Sequence, residues 1–183
     1  MSISASLLNS DKKLDFSFIL NQLNREKILS DQQLAQIKKL YPNPDNNIHP
    51  LKLLAELNLR SNTRPEYPLT LEKLTQWLAA FSGFPYVRID PLKINVNEVT
   101  RIVSQAYATK LNILPIEIRK NELVIANCEP FITGWEQELS RIAKMKIKRV
   151  IANPGDIERY LVEFYGISRS IFGAVSKKSG ESI

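Results

Sequence analysis

Apolar residues return at helical spacing along most of this chain and at strand spacing in a few short stretches. Phe16, Ile19, Leu20 and Leu23 form one stripe, and Leu34 and Ile37 continue it on a second helix. Ser30 followed by Asp31 is a good N-cap for that second helix. The run Tyr41-Pro42-Asn43-Pro44-Asp45-Asn46-Asn47 is dense in turn formers and breaks the pattern. A short helix follows at about Pro50 to Leu57, with Leu51, Leu54 and Leu57 inward. Asn58 to Pro68 has no usable period and reads as irregular chain. Thr70 then caps a helix carrying Leu71, Leu74, Trp77 and Leu78, and Gly83 supplies its stop.

The second half alternates. Tyr86 to Ile89 reads as a strand, being β-branched or aromatic and bounded by Pro85 and Pro91. Asn95 with Glu98 has the spacing of a capping box, opening one helix whose stripe runs through Val96, Val99, Ile102, Val103, Ala106 and Tyr107. Ile113 to Arg119 and Glu122 to Ala126 are β-type runs separated only by Lys120-Asn121, which predicts an antiparallel hairpin. Trp135, Leu139 and Ile142 mark the next helix, and Lys146 to Ala152 another strand. Asn153-Pro154 starts a last helix, with Ile157, Tyr160, Leu161 and Phe164 at core spacing and an end near Gly166. The fold class predicted is α+β: an N-terminal helical subdomain over residues 1–60, a linker at 61–68, and a small mixed sheet covered by helices over 69–166. Residues 167–183 are left as a flexible C-terminal connection.

At 183 residues the chain can bury a sizeable core without staples, and it has one cysteine, Cys128, which cannot form an internal bridge. Cys128 sits beside an apolar run and reads as an inert buried thiol. No apolar run approaches the roughly 20 residues of a membrane span, and no leader pattern opens the chain, so a cytosolic protein is expected. The net charge of +6 divides evenly, each of residues 1–66, 67–166 and 167–183 having two more basic than acidic side chains. Only Arg141, Lys144, Lys146, Lys148 and Arg149 form a local basic cluster. It reads first as a solvated face, next as a surface for an acidic partner or anion. No aromatic residues interleave with it as a single-stranded nucleic-acid platform requires, so no nucleic-acid partner is expected.

Catalytic chemistry is not encoded in any pattern we recognise. Neither GxxxxGK[ST] nor GxGxxG occurs, so no phosphate loop is formed. His49 is the single histidine and lies between turn residues and Pro50, where an exposed or helix-capping role is expected, and with one cysteine the chain cannot assemble a common Cys/His zinc site. Glu136 with Glu138 and Asp156 with Glu158 are two apart on helices and so share no face for acid/base work. Trp77 and Trp135 lie on apolar stripes and read as core. No cofactor or metal is expected.

Several landmarks together give the chain a family likeness: His49-Pro50-Leu51, Gln76-Trp77-Leu78-Ala79, Pro85-Tyr86-Val87-Arg88-Ile89-Asp90-Pro91-Leu92-Lys93-Ile94, Tyr107-Ala108, Ile113-Leu114-Pro115-Ile116, Glu129-Pro130-Phe131, and Arg149-Val150 to Tyr165. From His49 to Ala174 it resembles the N-terminal, non-catalytic domain of the ATPases that drive type II secretion and type IV pilus assembly. The resemblance implies a docking and regulatory domain that recruits the motor to the cytoplasmic side of an inner-membrane platform. The implied partners are the cytoplasmic part of a membrane-anchored subunit with an actin-like fold and the chain's own ATPase domain, toward which residues 167–183 would lead. Some relatives bind cyclic di-GMP through RLGxxLxxxGxIxxxQL. Phe18 to Leu34 keeps the apolar frame and the final Gln33-Leu34, but lacks the arginine and first glycine, and Glu26 or Lys27 stands where the second glycine would be. A cyclic di-GMP sensor is therefore the alternative reading.

Overall fold

The computed structural model describes residues 11–178, with side-chain surroundings through Ser168. In its N-terminal part the described residues form four helices: α1 (Phe16–Arg25), α2 (Asp31–Leu40), α3 (Pro50–Glu56) and α4 (Leu71–Ser82). Local chemistry sets their starts. Asp15 accepts the Phe18 amide at the head of α1, and Thr70 accepts the Lys73 amide at the head of α4. Ser30 and Gln33 form a reciprocal capping box on α2. Gly83, at φ 74°, ends α4 in the left-handed conformation that glycine adopts most easily. Ile19, Leu20, Leu23, Leu51, Leu54, Leu74 and Leu78 are almost wholly excluded from water in one core, which also receives Phe131 and Ile151 from later in the chain. Each such side chain contributes roughly 1.5–3 kcal/mol on burial. By packing, α4 thus belongs with the helices that precede it.

The irregular stretch before α4 is a closed loop. Leu69 N–H reaches Leu59 O at 2.8 Å, Ser61 N–H reaches Tyr67 O at 3.1 Å, and the Arg60 guanidinium donates to Pro65 O at 3.0 Å. The loop is also tied to the preceding helices, since Asn62 N–H donates to Ile28 O at 2.8 Å and the Gln33 side-chain amide to Arg60 O at 3.0 Å.

The second core is formed by α5 (Val96–Ile102), α6 (Gln105–Leu111), β1 (Leu114–Arg119), β2 (Glu122–Asn127), α7 (Trp135–Ala143), β3 (Lys146–Ile151) and α8 (Pro154–Lys178). The sheet order is β1-β2-β3, with β1 antiparallel and β3 parallel to β2. This is the small mixed sheet expected from the sequence, and the Lys120-Asn121 hairpin is present. Pro115 cannot donate to a ladder, and β1 accommodates it as an edge strand with a register irregularity between Pro115 and Glu117.

Four local expectations are corrected. Tyr86 to Ile89 is not a strand: it makes one parallel bridge, Tyr86 to Ile151, before Asp90 caps a 3-10 turn at Pro91–Lys93. The helix expected from Val96 through Tyr107 is two helices. Val103 is extended, its carbonyl accepts the Tyr165 hydroxyl at 2.7 Å, and Ser104 caps α6 by accepting the Tyr107 amide. Asn95 and Glu98 do not form a capping box; the Asn95 amide donates to the Glu98 carboxylate instead. Finally α8 does not stop near Gly166 but continues to Lys178. A mid-helix glycine costs only about 1 kcal/mol, and buried Phe164 and Tyr165 anchor the turn beside it.

Candidate functional site

Strand geometry divides the basic cluster. Side chains alternate across β3, so Lys146 and Lys148 are exposed on one face while Arg149 points to the other. Arg141, on the last turn of α7, and Lys144, a left-handed residue at φ 54° closing that helix, are exposed at the same end of the molecule. Ile142 lies between them, 58% exposed. Four of the five residues expected to form a basic surface therefore do stand on the surface. Arg149 is the exception and is only 5% exposed.

Arg149 is instead a structural fastener. Its guanidinium donates to Glu136 at 2.7 Å, to Glu129 O at 3.1 Å and to Pro130 O at 2.8 Å. Phe84 lies over it at 4.4 Å and Trp135 at 5.6 Å. Burial lowers its pKa, and the Glu136 carboxylate acts against that shift. One buried cation thus joins β3, α7, the 129–131 loop and the residue that follows Gly83. Sequence spacing shows five basic residues in nine positions; only the strand's period of two separates this one from the rest.

A second candidate is a cleft of about 520 Å³ lined by Leu14, Asp15, the 44–50 turn, Lys110, Asn112, Glu129 and Glu158, among others. His49 closes its floor. The imidazole Nδ1 accepts the Leu51 amide at the head of α3, so Nε2 carries the proton donated to Cys128 O at 3.1 Å. Of the two roles expected, exposed or helix-capping, His49 has the second, and it is 8% exposed. Burial pushes its pKa down to about 4, a neutral ring at ordinary pH. Glu129 Oε1 lies 3.9 Å from Nε2, and Oε2 accepts the Leu14 amide at 2.8 Å. Burial pushes the Glu129 carboxyl up to about 7, partly offset by that amide and by Lys13. Between about pH 4 and 7 the two titratable groups are therefore mostly uncharged side by side, while Lys52 and Glu158 form an ion pair at 2.6 Å nearby.

Other residues singled out by spacing are tied up structurally. Glu138 accepts from the Tyr107 hydroxyl at 3.2 Å and Asp156 from Arg159 at 3.1 Å. With Glu136 on Arg149 and Glu158 on Lys52, neither carboxylate pair converges on a common point. Trp135 is core, and its indole N–H donates to Ile132 O at 3.1 Å. Trp77 sits half-buried at the core's margin, stacked on Phe81, with its N–H on Glu26 at 2.8 Å. Cys128 is fully buried, and burial pushes its thiol up, away from reactive thiolate. Among the described residues no group of His, Cys, Asp or Glu could hold a metal ion, and no helix is long and apolar enough to cross a membrane.

The turn after α1 decides which residue replaces the glycine of the nucleotide motif. Lys27 has φ 62°, in the left-handed region. The chain makes a left-handed turn at this position without a glycine. Leu20, where the motif has its first glycine, is 1% exposed and fills core space. Because a left-handed non-glycine residue costs roughly 1–2 kcal/mol and glycine's extra unfolded freedom returns part of that, Lys27→Gly should stabilise the fold by about 0.5–1 kcal/mol. A shift of the urea midpoint to higher concentration is expected; a shift to lower concentration would mean that the Lys27 side chain makes a contact worth more than the strain.

Residues 82–171, just under half of the chain, match the MshEN domain, and the chain is homologous to part of a pilus-assembly ATPase. It is 31% identical over 161 residues to the type IV pilus assembly ATPase TfpB of Acinetobacter baylyi, a stretch covering 87% of this chain and 28% of that protein. Among solved structures, MshE with cdg superposes at a TM-score of 0.56 with 19% identity, covering 84% of this chain and all of the other. The N-terminal domain of XpsE aligns at 0.48 with 14% identity, over 84% of this chain and 97% of the other. The likeness to MshE is one of fold.

Proposed function

We propose that this chain is a docking and regulatory domain that brings a pilus-assembly or secretion ATPase to an inner-membrane platform protein. The supporting observation is the homology to a pilus-assembly ATPase over most of this chain, in a region without a phosphate loop. The partner is the cytoplasmic part of that platform, an actin-like subunit, and the domain is cytoplasmic and peripheral to the membrane through it. A second contact is with the ATPase domain of a full-length motor. Arg141, Lys144, Lys146 and Lys148 supply a partner surface of one charge sign, beside an exposed apolar Ile142. Such a surface steers encounter with an acidic partner and weakens as salt rises. Affinity capture from solubilised membranes should recover a platform subunit at low salt and lose it when Lys146 and Lys148 are reversed to glutamate. Recovery of soluble proteins alone would refute the reading.

Cyclic di-GMP binding is favoured by the left-handed bend at Lys27 and by the fold shared with MshE. Against it, the motif's arginine position is Phe18, which packs edge-on against Phe131 at 6.0 Å and offers no cation to guanine or phosphate. Isothermal titration with cyclic di-GMP is expected to show no binding in the low-micromolar range; tight binding would replace the docking reading with a sensor.

A further inference from the structure

The outer edge of β3 is bonded within the chain at both ends, at Met145 to Ser140 and at Ile151 to Pro85 and Val87, and is open to a fourth strand between them. Lys146 N–H bonds to Asn121 O and Ala152 N–H to Asn127 O, so the even-numbered residues of β3 address β2. Odd-numbered residues point outward. At Ile151 this is visible directly: its N–H donates to Pro85 O at 2.8 Å and its carbonyl accepts Val87 N–H at 2.9 Å. The segment from Pro85 to Val87 is thus a parallel neighbour of the last residue of β3 only. Upstream of it Phe84 lies on the Arg149 guanidinium, and Gly83 turns the chain away into α4. Among the described residues no strand runs beside Ile147.

We propose that this edge, centred on Ile147, is a strand-addition site for an extended acidic segment of a partner protein. Backbone bonds to a sheet edge supply affinity without dictating sequence, and the flanking side chains select what may pair. Lys146 and Lys148 flank the open position and Lys144 lies close by, all three exposed. Lysines on an open edge repel other edges that lack compensating charge, and a strand with carboxylates on one face is what they admit. The open stretch is therefore selective for charge, and it is bounded by Met145 on Ser140 at one end and by Phe84 and Pro85 at the other. The inference rests on the docking reading above and specifies how the contact is made.

The test uses a synthetic peptide of alternating glutamate and valine, its lysine-valine counterpart, and this protein labelled for amide NMR. The acidic peptide should protect the Ile147 amide from exchange, the effect should fade with salt, and the basic peptide should do nothing. Ile147→Pro removes the outward N–H at an edge position that tolerates proline, and should weaken binding about tenfold or more. If Ile147→Pro does not fold, the exposed pair Lys146→Glu and Lys148→Glu gives the same readout through charge. Shifts confined to residues away from β3, equal binding by the basic peptide, or unchanged binding by both variants would overturn the proposal. So would retention on phosphatidylserine-containing vesicles through these lysines with no peptide protection at Ile147. Capture of a platform protein by wild type and by Ile147→Pro alike would keep the docking reading and overturn strand addition. Capture by neither would overturn docking, and the peptide result would then decide strand addition by itself.

Discussion

Replacing Arg149 with methionine should cost about 3 kcal/mol of stability, while Lys148→Met next to it should cost less than about 0.5 kcal/mol. The two substitutions remove the same charge from adjacent positions, so the contrast isolates environment. Methionine keeps much of the apolar stem between Phe84 and Trp135 but leaves Glu129 O and Pro130 O without their donor, and Glu136 without its cation. Losing one partner of a buried pair typically costs 3–5 kcal/mol. Here the lower end is expected, because the Glu136 side chain is 32% exposed and can return to water. For the same reason Glu136→Gln alone should cost about 1 kcal/mol, and adding it to Arg149→Met should cost little more. Urea unfolding of the four proteins measures this directly. Equal losses at positions 148 and 149 would show that the buried geometry of Arg149 contributes nothing.

The second large effect is a hidden pH dependence. His49 keeps a folded pKa near 4 against an ordinary 6.5, so its contribution to stability is full above pH 6.5 and is lost as pH falls toward 4. Glu129 behaves oppositely: with a folded pKa near 7 against 4.5, its contribution is full below pH 4.5 and is lost as pH rises through 7. Between pH 4.5 and 6.5 the two slopes have opposite signs and similar size, so the native protein should show a nearly flat profile there. Glu129→Gln removes one slope. Its stability should rise with pH between 4 and 6.5 by roughly 3 kcal/mol, from about 2.5 pKa units at 1.36 kcal/mol each. His49→Gln should give the mirror image, falling between pH 4.5 and 7. Flat profiles for both variants would mean that neither group is held neutral by burial.

How much of this could be read from the sequence depends on the range of the forces involved. Caps are local, and Ser30, Thr70 and Gly83 act where a residue's neighbours predict. The Lys120-Asn121 hairpin is equally local and equally legible. What failed is what depends on distant atoms. Val103 carries the helical period, yet it is extended because Ser104 offers a fresh cap and the Tyr165 hydroxyl, 62 residues away, takes its carbonyl. Tyr86 to Ile89 has strand composition, but prolines on both sides leave room for a single bridge. For the site, four surface cations follow from spacing alone. Arg149 and Glu129 required tertiary knowledge, since charged residues in a row give no sign of which one faces inward; the alternation of Ile147 and Arg149 against Lys146 and Lys148 was the available clue.

The segment that starts the described chain carries a kinetic consequence. Asp11 accepts the amides of Thr133 and Gly134, and Leu14 donates to Glu129, contacts that span 115 to 123 residues of sequence. Closing so long a loop returns few bonds for the entropy lost, so these contacts form only when the rest is already in place. They should likewise be the first to open under native conditions. The Leu14 amide then exchanges with solvent by a small, local release, whereas amides in the centre of β2 wait for global unfolding, and a protease would find residues 11–14 long before it found the sheet.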